Sequence, residues 1–296
     1  MDSAMLIRIA ILISVMLIVI ALGLRCAPAD VTYLLHKPRL LVRSLVAMNV
    51  IMPLVAVWLV SSFDLKTPVK VALVALAISP LPPVLPGKRL NLTTRGYTYG
   101  IVVVAAVCSV VLVPLTAYLL SAHFHTQHVR AVKVLLVVAL TVLAPLFIGL
   151  FLQRILPTRA SGLATILSTV GTALLIVACI PVLVMEWPTI RSLLGDGTVV
   201  AAIVLSGIGL LVGHLLGGPD PQHRTVLALA TASRHPGVAL VAATSASAQA
   251  PRLITAAVLF AFVVSMIVSA PYAAWRRRVD ATSTKSSTPP AVGVSG

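Results

Sequence analysis

The sequence predicts an all-α integral membrane protein with about nine transmembrane helices. The chain is 59% hydrophobic and 10% charged, with a mean hydropathy of +1.08. Its apolar runs repeatedly reach the length of about 20 residues that a bilayer demands. Its basic residues gather at the ends of these runs, so the net charge of +15 indicates membrane topology rather than a nucleic-acid partner.

The apolar passages follow one another with short links, which is typical of a single membrane unit rather than of separate soluble domains. They cover residues 5–24, 40–60, 68–95 (interrupted), 97–121, 129–153, 162–187, 197–217, 223–248 (interrupted) and 252–275. We therefore expect one polytopic transmembrane domain over residues 1–278. Residues 279–296, rich in Ser, Thr and Pro, are expected to form a disordered cytoplasmic tail.

The distribution of lysine and arginine predicts the orientation. If the N-terminus lies outside, one side of the membrane receives fourteen of the basic loop residues and the other side seven. Because cytoplasmic loops collect Lys and Arg, the bias favours an external N-terminus and a cytoplasmic C-terminus. The expected location is the inner (plasma) membrane, with the chain crossing the lipid bilayer many times.

Two passages, the third and the eighth, contain helix-breaking residues. The third contains Pro80, Pro82, Pro83 and Pro86, and the eighth contains SRHPG at Ser233–Gly237, with Pro236 as its proline. Proline removes a backbone donor, so neither passage can continue as an unbroken helix. Paired broken helices of opposite direction are typical of an inverted-repeat transporter, which predicts repeat halves of about 5–121 and 160–275 whose breaks cross near a binding site.

Four further segments stand out in the sequence: LGLRCAPADVTYLLHKPRLLV from Leu22, NVIMPLVAVWL from Asn49, TTRGY from Thr93 and GVAL from Gly237. Together with Pro80 at the first crossing, these segments resemble the bile acid:sodium symporter family. The resemblance covers most of the chain. It implies two crossed broken helices, a transport role, and nine spans because the chain starts at the family's second bacterial helix.

The residues that hold sodium in that family are replaced in this chain. Leu85 and Pro86 stand where the family has Ser and Asn, and Ala106 and Val110 stand at hydroxyl positions of the following helix. Met48 replaces a Gln. In the second crossing helix Ala230 stands in place of a Glu, and Arg234 and His235 stand in place of Gln and Asn. Sodium needs oxygen ligands, and the one carboxylate is lost while a cation is gained. The fold and transport role therefore carry over, but sodium coupling does not.

Arg234 is the main candidate for substrate binding, because every acidic residue lies in a tail, in a loop or at the end of a span. If its guanidinium faces a cavity, an anionic substrate could supply the missing negative charge through a bidentate contact. The alternative is a structural role, in which Arg234 binds free carbonyls where the first half-helix ends.

Four further residues are candidates beside Arg234. His235 could carry a coupling proton or simply cap the backbone after Pro236, and Gly237 exposes amides that could face an anion. Asn49 could reach the substrate or bond between helices. Lys88 could complete a basic vestibule, although a cytoplasmic anchor is the plainer interpretation.

The other motifs favour packing roles. Gly209, Gly213 and Gly217 have the four-residue spacing of a close helix contact. The three cysteines have no CxxC spacing. His123, His125 and His128 lack acidic or thiol companions, so we expect no metal site and no cofactor.

The leading functional hypothesis is a secondary carrier of a small organic anion, with protons as a candidate coupling ion. A membrane-embedded ligand-binding or sensory protein of transporter fold, without active transport, is the alternative. An enzyme is not expected, because the sequence has no HExxH, GxSxG or similar catalytic pattern in register.

Overall fold

The computed structural model describes residues 3–79, 92–123, 135–136, 138–193, 197–246 and 251–286, and their regular structure is helical. The first helices are α1 (Ser3–Arg25), α2 (Pro28–Leu35), α3 (Pro38–Val46), α4 (Met52–Ser62), α5 (Thr67–Ile78) and α6 (Leu92–His123). The later helices are α7 (Ala144–Ile155), α8 (Pro157–Met185), α9 (Trp187–Leu193), α10 (Thr198–Leu216), α11 (Pro221–Ala232), α12 (Pro236–Ala246) and α13 (Pro251–Ser286). Two π-helical turns, Ala47–Ile51 and Ala139–Leu143, precede α4 and α7.

Five helices in the described part of the chain are long and apolar enough to cross a membrane. They are Pro38–Ser62, Thr94–Leu112, Pro157–Ala178, Thr198–Leu216 and Pro251–Val279. Ile9–Arg25, Thr67–Ile78 and Ala139–Ile155 are shorter apolar helices. The all-helical membrane class is therefore confirmed, while the nine-span count and the inverted repeat stay predictions.

The surface of the helices has the character expected beside lipid. Large apolar side chains stand exposed on several of them, including Leu54 at 63%, Val177 at 65% and Ile267 at 66%. Exposed apolar side chains spread over so many helices suit a hydrocarbon solvent, where no hydrophobic penalty applies. These helices therefore form a multi-pass membrane protein.

The last helix extends beyond residue 278, the predicted end of the transmembrane domain. α13 continues past Arg278 to Ser286, so the disordered tail predicted from residue 279 is wrong over its first eight residues. Its remainder lies outside the described residues.

Helix α5 lies at the centre of the main core. Every residue from Ala72 to Ile78 is buried, and α5 packs against α4, α12 and α13. Five of the eight α5 residues that fill this core are alanine or valine, and the facing stretch of α12 contributes Ala239, Ala242 and Ala243. Small side chains let helix backbones approach closely in a membrane, where apolar burial alone gives no net drive to associate.

A second group of helices forms around α1. This helix packs along α8 and crosses α7, where Gly23 lies against Gly149. A Cβ at Gly23 would lie 2.8 Å from the Gly149 Cα, so the two backbones touch with no side chain between them. The two glycines therefore fix where α1 crosses α7.

The predicted glycine contact is confirmed. Gly209 and Gly213 on α10, and Gly217 just after its end, all lie against the backbone of α11, and a Cβ at Gly213 would lie 2.5 Å from the Ala228 Cα. The Thr231 hydroxyl lies 2.7 Å from the Gly209 carbonyl oxygen across the same contact. Helix α11 is therefore held directly against α10.

The α10–α11 contact can be tested with two glycines of one helix. Gly213→Ala should lower the free energy of unfolding by about 1–3 kcal/mol, because its methyl group would force α11 away from α10. Gly207→Ala is the control, because a Cβ there meets no atom within 4 Å. It should stabilise the helix by up to about 1 kcal/mol. Thermal unfolding of the purified protein in detergent measures both changes, and equal midpoints for the two variants would contradict the packing.

Candidate functional site

The candidate site is the break between α11 and α12. Helix α11 ends at Ala232, Ser233 is extended with φ −106° and ψ 135°, and Pro236 is the first residue of α12. Proline suits this position because the first helical turn has unpaired N–H groups in any case. The break therefore occupies Ser233 to His235, within the predicted SRHPG segment.

The Arg234 side chain turns into the protein and joins two other elements. It is only 4% exposed. Its Nη1 donates to the Ser79 carbonyl oxygen at 3.1 Å, and its Nη2 donates to the Met48 carbonyl oxygen at 2.6 Å. One guanidinium thus connects the α11–α12 break to the end of α5 and to the π-helical turn before α4.

The Met48 carbonyl is available because of the local backbone. In this π-helical turn the Met52 N–H donates to the Ala47 carbonyl rather than to that of Met48. The next residue, Pro53, has no N–H to offer. The Met48 oxygen is therefore left without a helical donor, and the Arg234 guanidinium supplies one.

Ser79 presents its carbonyl for a related reason. Its own N–H closes the last turn of α5 by donating to the Ala75 and Leu76 carbonyls, and its hydroxyl donates to Leu76 O at 2.9 Å. Its backbone is then extended, with φ −70° and ψ 153°. Because α5 ends at Ile78 and the residue four positions ahead of Ser79 is a proline without an N–H, the Ser79 carbonyl is free to accept from Arg234.

The guanidinium keeps unused capacity in this arrangement. Arginine has five N–H donors, and these two bonds use two of them. The Nε has no hydrogen-bond partner among the described residues. The structure assigns no carboxylate partner to Arg234 in that part of the chain. Among the described residues, the buried positive charge of Arg234 is therefore not compensated by a carboxylate.

A small cavity adjoins the guanidinium. It has a volume of about 20 Å³ and is lined by Arg234 together with Ser206, Thr231, Ser265 and apolar side chains. About 10–15 Å³ is enough for one water molecule. A substrate cannot enter a space of this size, so the described conformation encloses Arg234 on this side.

His235 caps the second half-helix. Its Nδ1 accepts from the Val238 N–H at 3.3 Å, and its ring is 2% exposed. Accepting this bond requires an unprotonated Nδ1, so the imidazole in this state carries its hydrogen on Nε2. Protonation of Nδ1 would break the cap and place a second positive charge beside Arg234. The geometry matches the capping alternative considered for His235.

The remaining predicted residues are not all brought together here. Gly237 lies beside the His235 ring, since a Cβ there would be 3.2 Å from the ring carbon Cε1. The Asn49 amide donates to Leu45 O of its own chain segment at 3.2 Å, and it is its neighbour Met48 that reaches Arg234. Lys88, Pro80, Pro82, Pro83 and Pro86 lie outside the described residues.

Sequence reasoning missed the two carbonyls that hold Arg234. Backbone acceptors leave no trace in residue identity, yet Pro53 carried a signal, because a proline five residues after Met48 removes a donor. The position of Pro53 thus indicates that the Met48 carbonyl is an acceptor left free for another donor.

A double-mutant cycle tests whether Pro53 acts through Arg234. Pro53→Ala restores an N–H near the Met48 carbonyl and should weaken the Arg234 contact by competition. The change in unfolding free energy caused by Pro53→Ala should therefore differ by about 1 kcal/mol between the wild-type protein and the Arg234→Met variant.

Pro145→Ala is the matched control for that cycle. Pro145 follows the second π-helical turn, where the Ala144 N–H donates to Ala139 O in the same pattern, whereas the two Arg234 hydrogen bonds go to Ser79 and Met48. Its effect should add to that of Arg234→Met within about 0.5 kcal/mol. Additivity in both cycles, measured by thermal or denaturant unfolding, would show that Pro53 and Arg234 are uncoupled.

Comparison with known proteins adds the family. A family model described as the sodium bile acid symporter family matches residues 10–192. A search of curated proteins found no match. The matched segment includes Met48 and Ser79 and ends before α10, so the break at Arg234 lies beyond it. Members of this family are membrane transporters and not enzymes. With its apolar helices and a family match over more than half of its length, the chain belongs to the sodium bile acid symporter family.

Proposed function

We propose that the chain is a secondary-active carrier of a small organic anion that works without sodium at the family's usual site. The observation that carries the proposal is the buried Arg234 guanidinium, bound to two backbone carbonyls where broken elements meet. Membership of a transporter family supports the transport part of the proposal. The positive charge of Arg234 supports both the anionic substrate and the absence of sodium at that site.

The uncompensated charge of Arg234 favours an anionic substrate. Burying a charge at bilayer depth is unfavourable unless it is paired, and intramembrane charges are usually functional for that reason. Because the described residues accept from only two of its five donors, the guanidinium can still receive a carboxylate, sulfonate or phosphate. An anion bound beside the two carbonyls would neutralise the charge.

Arg234 also accounts for the lost sodium site. Carbonyl oxygens are ligands that a hard cation such as sodium accepts, and two of them converge here on one positive group. A guanidinium occupies the position between them, and a second cation beside it would be repelled. The covalently attached charge thus takes the electrostatic role that a coupling ion would have.

Movement of the α11–α12 break is required for access. Arg234 is buried and the adjoining cavity holds no more than about one water molecule. We infer that the break separates from Ser79 or Met48 when the site opens to one side of the membrane. The substrate would then compete with a backbone carbonyl for guanidinium donors.

Ion dependence is tested by uptake of labelled organic anions into proteoliposomes with sodium and proton gradients imposed separately. We expect uptake that is unaffected when choline replaces sodium. Uptake that requires sodium would contradict the proposal. Uptake that is independent of sodium but follows the proton gradient would identify protons as the coupling ion. His235 would then be the candidate proton carrier, because protonation of its Nδ1 breaks the cap on Val238 N–H. Ligand-induced thermal stabilisation without any flux would instead favour a binding or sensory protein.

The role of Arg234 is tested by substitution. Arg234→Gln should lower uptake about tenfold or more, because charged hydrogen bonds contribute about 1.5–3 kcal/mol. Arg234→Lys should recover only part of it, since an ammonium group cannot form the planar fork. Arg154→Gln, at the exposed end of α7, is the control with the same loss of charge.

Chemical rescue separates lost binding from lost folding. Free guanidinium should partly restore uptake by Arg234→Ala, whereas sodium should not. Normal uptake by Arg234→Gln at wild-type protein levels would remove Arg234 from the mechanism.

A further inference from the structure

A second cavity lies between the start of α3 and the turn from α10 to α11, at the opposite end of α11 from the Arg234 break. Its volume is about 560 Å³. It is lined by Lys37, Pro38, Arg39, Leu40, Arg43, Gly218, Pro219, Asp220 and His223. Gly218 has a positive φ of 82°, and a Cβ there would lie 3.3 Å from Leu40, so this turn rests directly on α3.

The cavity is strongly basic. Lys37, Arg39 and Arg43 give three positive charges, and Asp220 is the only acid in the lining. The Asp220 carboxylate is already engaged, because its Oδ1 accepts from the Gln222 N–H at 2.8 Å as the cap of α11 and its Oδ2 lies 3.7 Å from the His223 ring. The three cations are therefore left with an excess of charge that no carboxylate in the lining neutralises.

The basic side chains retain donors for a ligand. Lys37 donates to the Tyr33 hydroxyl at 2.6 Å, which leaves two of its three N–H donors. Arg39 and Arg43 are exposed and make no hydrogen bond or ion pair within the described residues. Two guanidinium forks and an ammonium around one cavity suit the tetrahedral oxygens of a phosphate group.

The flanks of the cavity are apolar and exposed. Val42 and Val46 on α3 and Leu211 and Leu215 on α10 are 57%, 37%, 57% and 68% exposed. These side chains belong to the spans that begin or end at the cavity, so the basic residues lie where a span meets water. A ligand with a phosphate and hydrocarbon chains can use both surfaces at once.

We propose that this cavity binds the phosphate-bearing headgroup of an anionic phospholipid, with the acyl chains along α3 and α10. Basic pockets between transmembrane helices commonly bind such headgroups on the cytoplasmic side. The charge bias of the sequence predicts that side for Lys37, Arg39 and Arg43. A free phosphate shares the headgroup chemistry but cannot use the apolar flanks.

The cavity is connected to the Arg234 site through two helices, α3 and α11. Helix α3 leads to Met48 and helix α11 leads to Arg234. Farther along, the Arg234 side chain donates a hydrogen bond to the Met48 carbonyl oxygen. Arg43 precedes Met48 by five residues, or about 7.5 Å of helix. A headgroup that fastens α3 to the start of α11 therefore stabilises the state in which Arg234 binds Met48.

The test measures the unfolding temperature of the purified full-length protein in nanodiscs of phosphatidylcholine, with or without phosphatidylglycerol. Phosphatidylglycerol should raise the midpoint by about 5 °C or more in the wild type. Arg39→Gln/Arg43→Gln should lose most of this rise, and Arg39→Lys/Arg43→Lys should keep much of it.

Two controls decide the outcome. Arg154→Gln/Arg159→Gln removes the same charge from exposed positions at the α7–α8 link and should keep the full rise. An equal loss in both double-glutamine variants would overturn the site, since bulk charge would explain it.

Inorganic phosphate in phosphatidylcholine discs should give little rise in the unfolding midpoint. A full rise from phosphate alone would overturn the lipid assignment in favour of a soluble phosphate ligand. The unfolding midpoint does not depend on transport activity.

Discussion

The contact of Arg234 with two backbone carbonyls is the interaction on which the centre of this protein depends. Three elements end or distort at this one point: the end of α5, the π-helical turn before α4 and the break between α11 and α12. Each distortion leaves polar backbone groups without helical partners inside a membrane, where an unpaired group is costly. The guanidinium satisfies two of these groups, so the breaks and the charge stabilise one another.

This mutual dependence explains why the surrounding helices are packed so closely. A guanidinium can reach carbonyls on two other elements only if those elements hold their positions to within a fraction of an ångström. Alanine-rich faces on α5 and α12 and the glycines of α10 bring the backbones together. Thr231 adds a polar bond between α10 and α11 three residues before Arg234. The small residues therefore position Arg234 relative to its two carbonyl partners.

Much of this architecture could be predicted from the sequence, and the exceptions have physical reasons. Apolar run lengths predict the helices, and Pro236 predicts the break, because both depend on the chemistry of individual residues. The spacing of Gly209, Gly213 and Gly217 predicts the α10–α11 contact for the same reason. The partners of Arg234 could not be predicted, because Met48 and Ser79 contribute only main-chain oxygens. The extension of α13 to Ser286 was missed because a Ser- and Thr-rich composition describes average preference, whereas a long preceding helix can continue into such residues.

A covalently attached cation changes what can drive a transport cycle. A sodium ion enters and leaves its ligands, so its gradient can be converted into movement, but Arg234 cannot leave the chain. In the proposed carrier, the energy for opening the α11–α12 break comes from exchange of donors between the Met48 or Ser79 carbonyl and an incoming anion, or from protonation of a group such as His235. Carbonyls are neutral acceptors and an anion is a stronger one, so substrate binding itself can displace them. In the proposed carrier the substrate thus takes part in the conformational change that transports it.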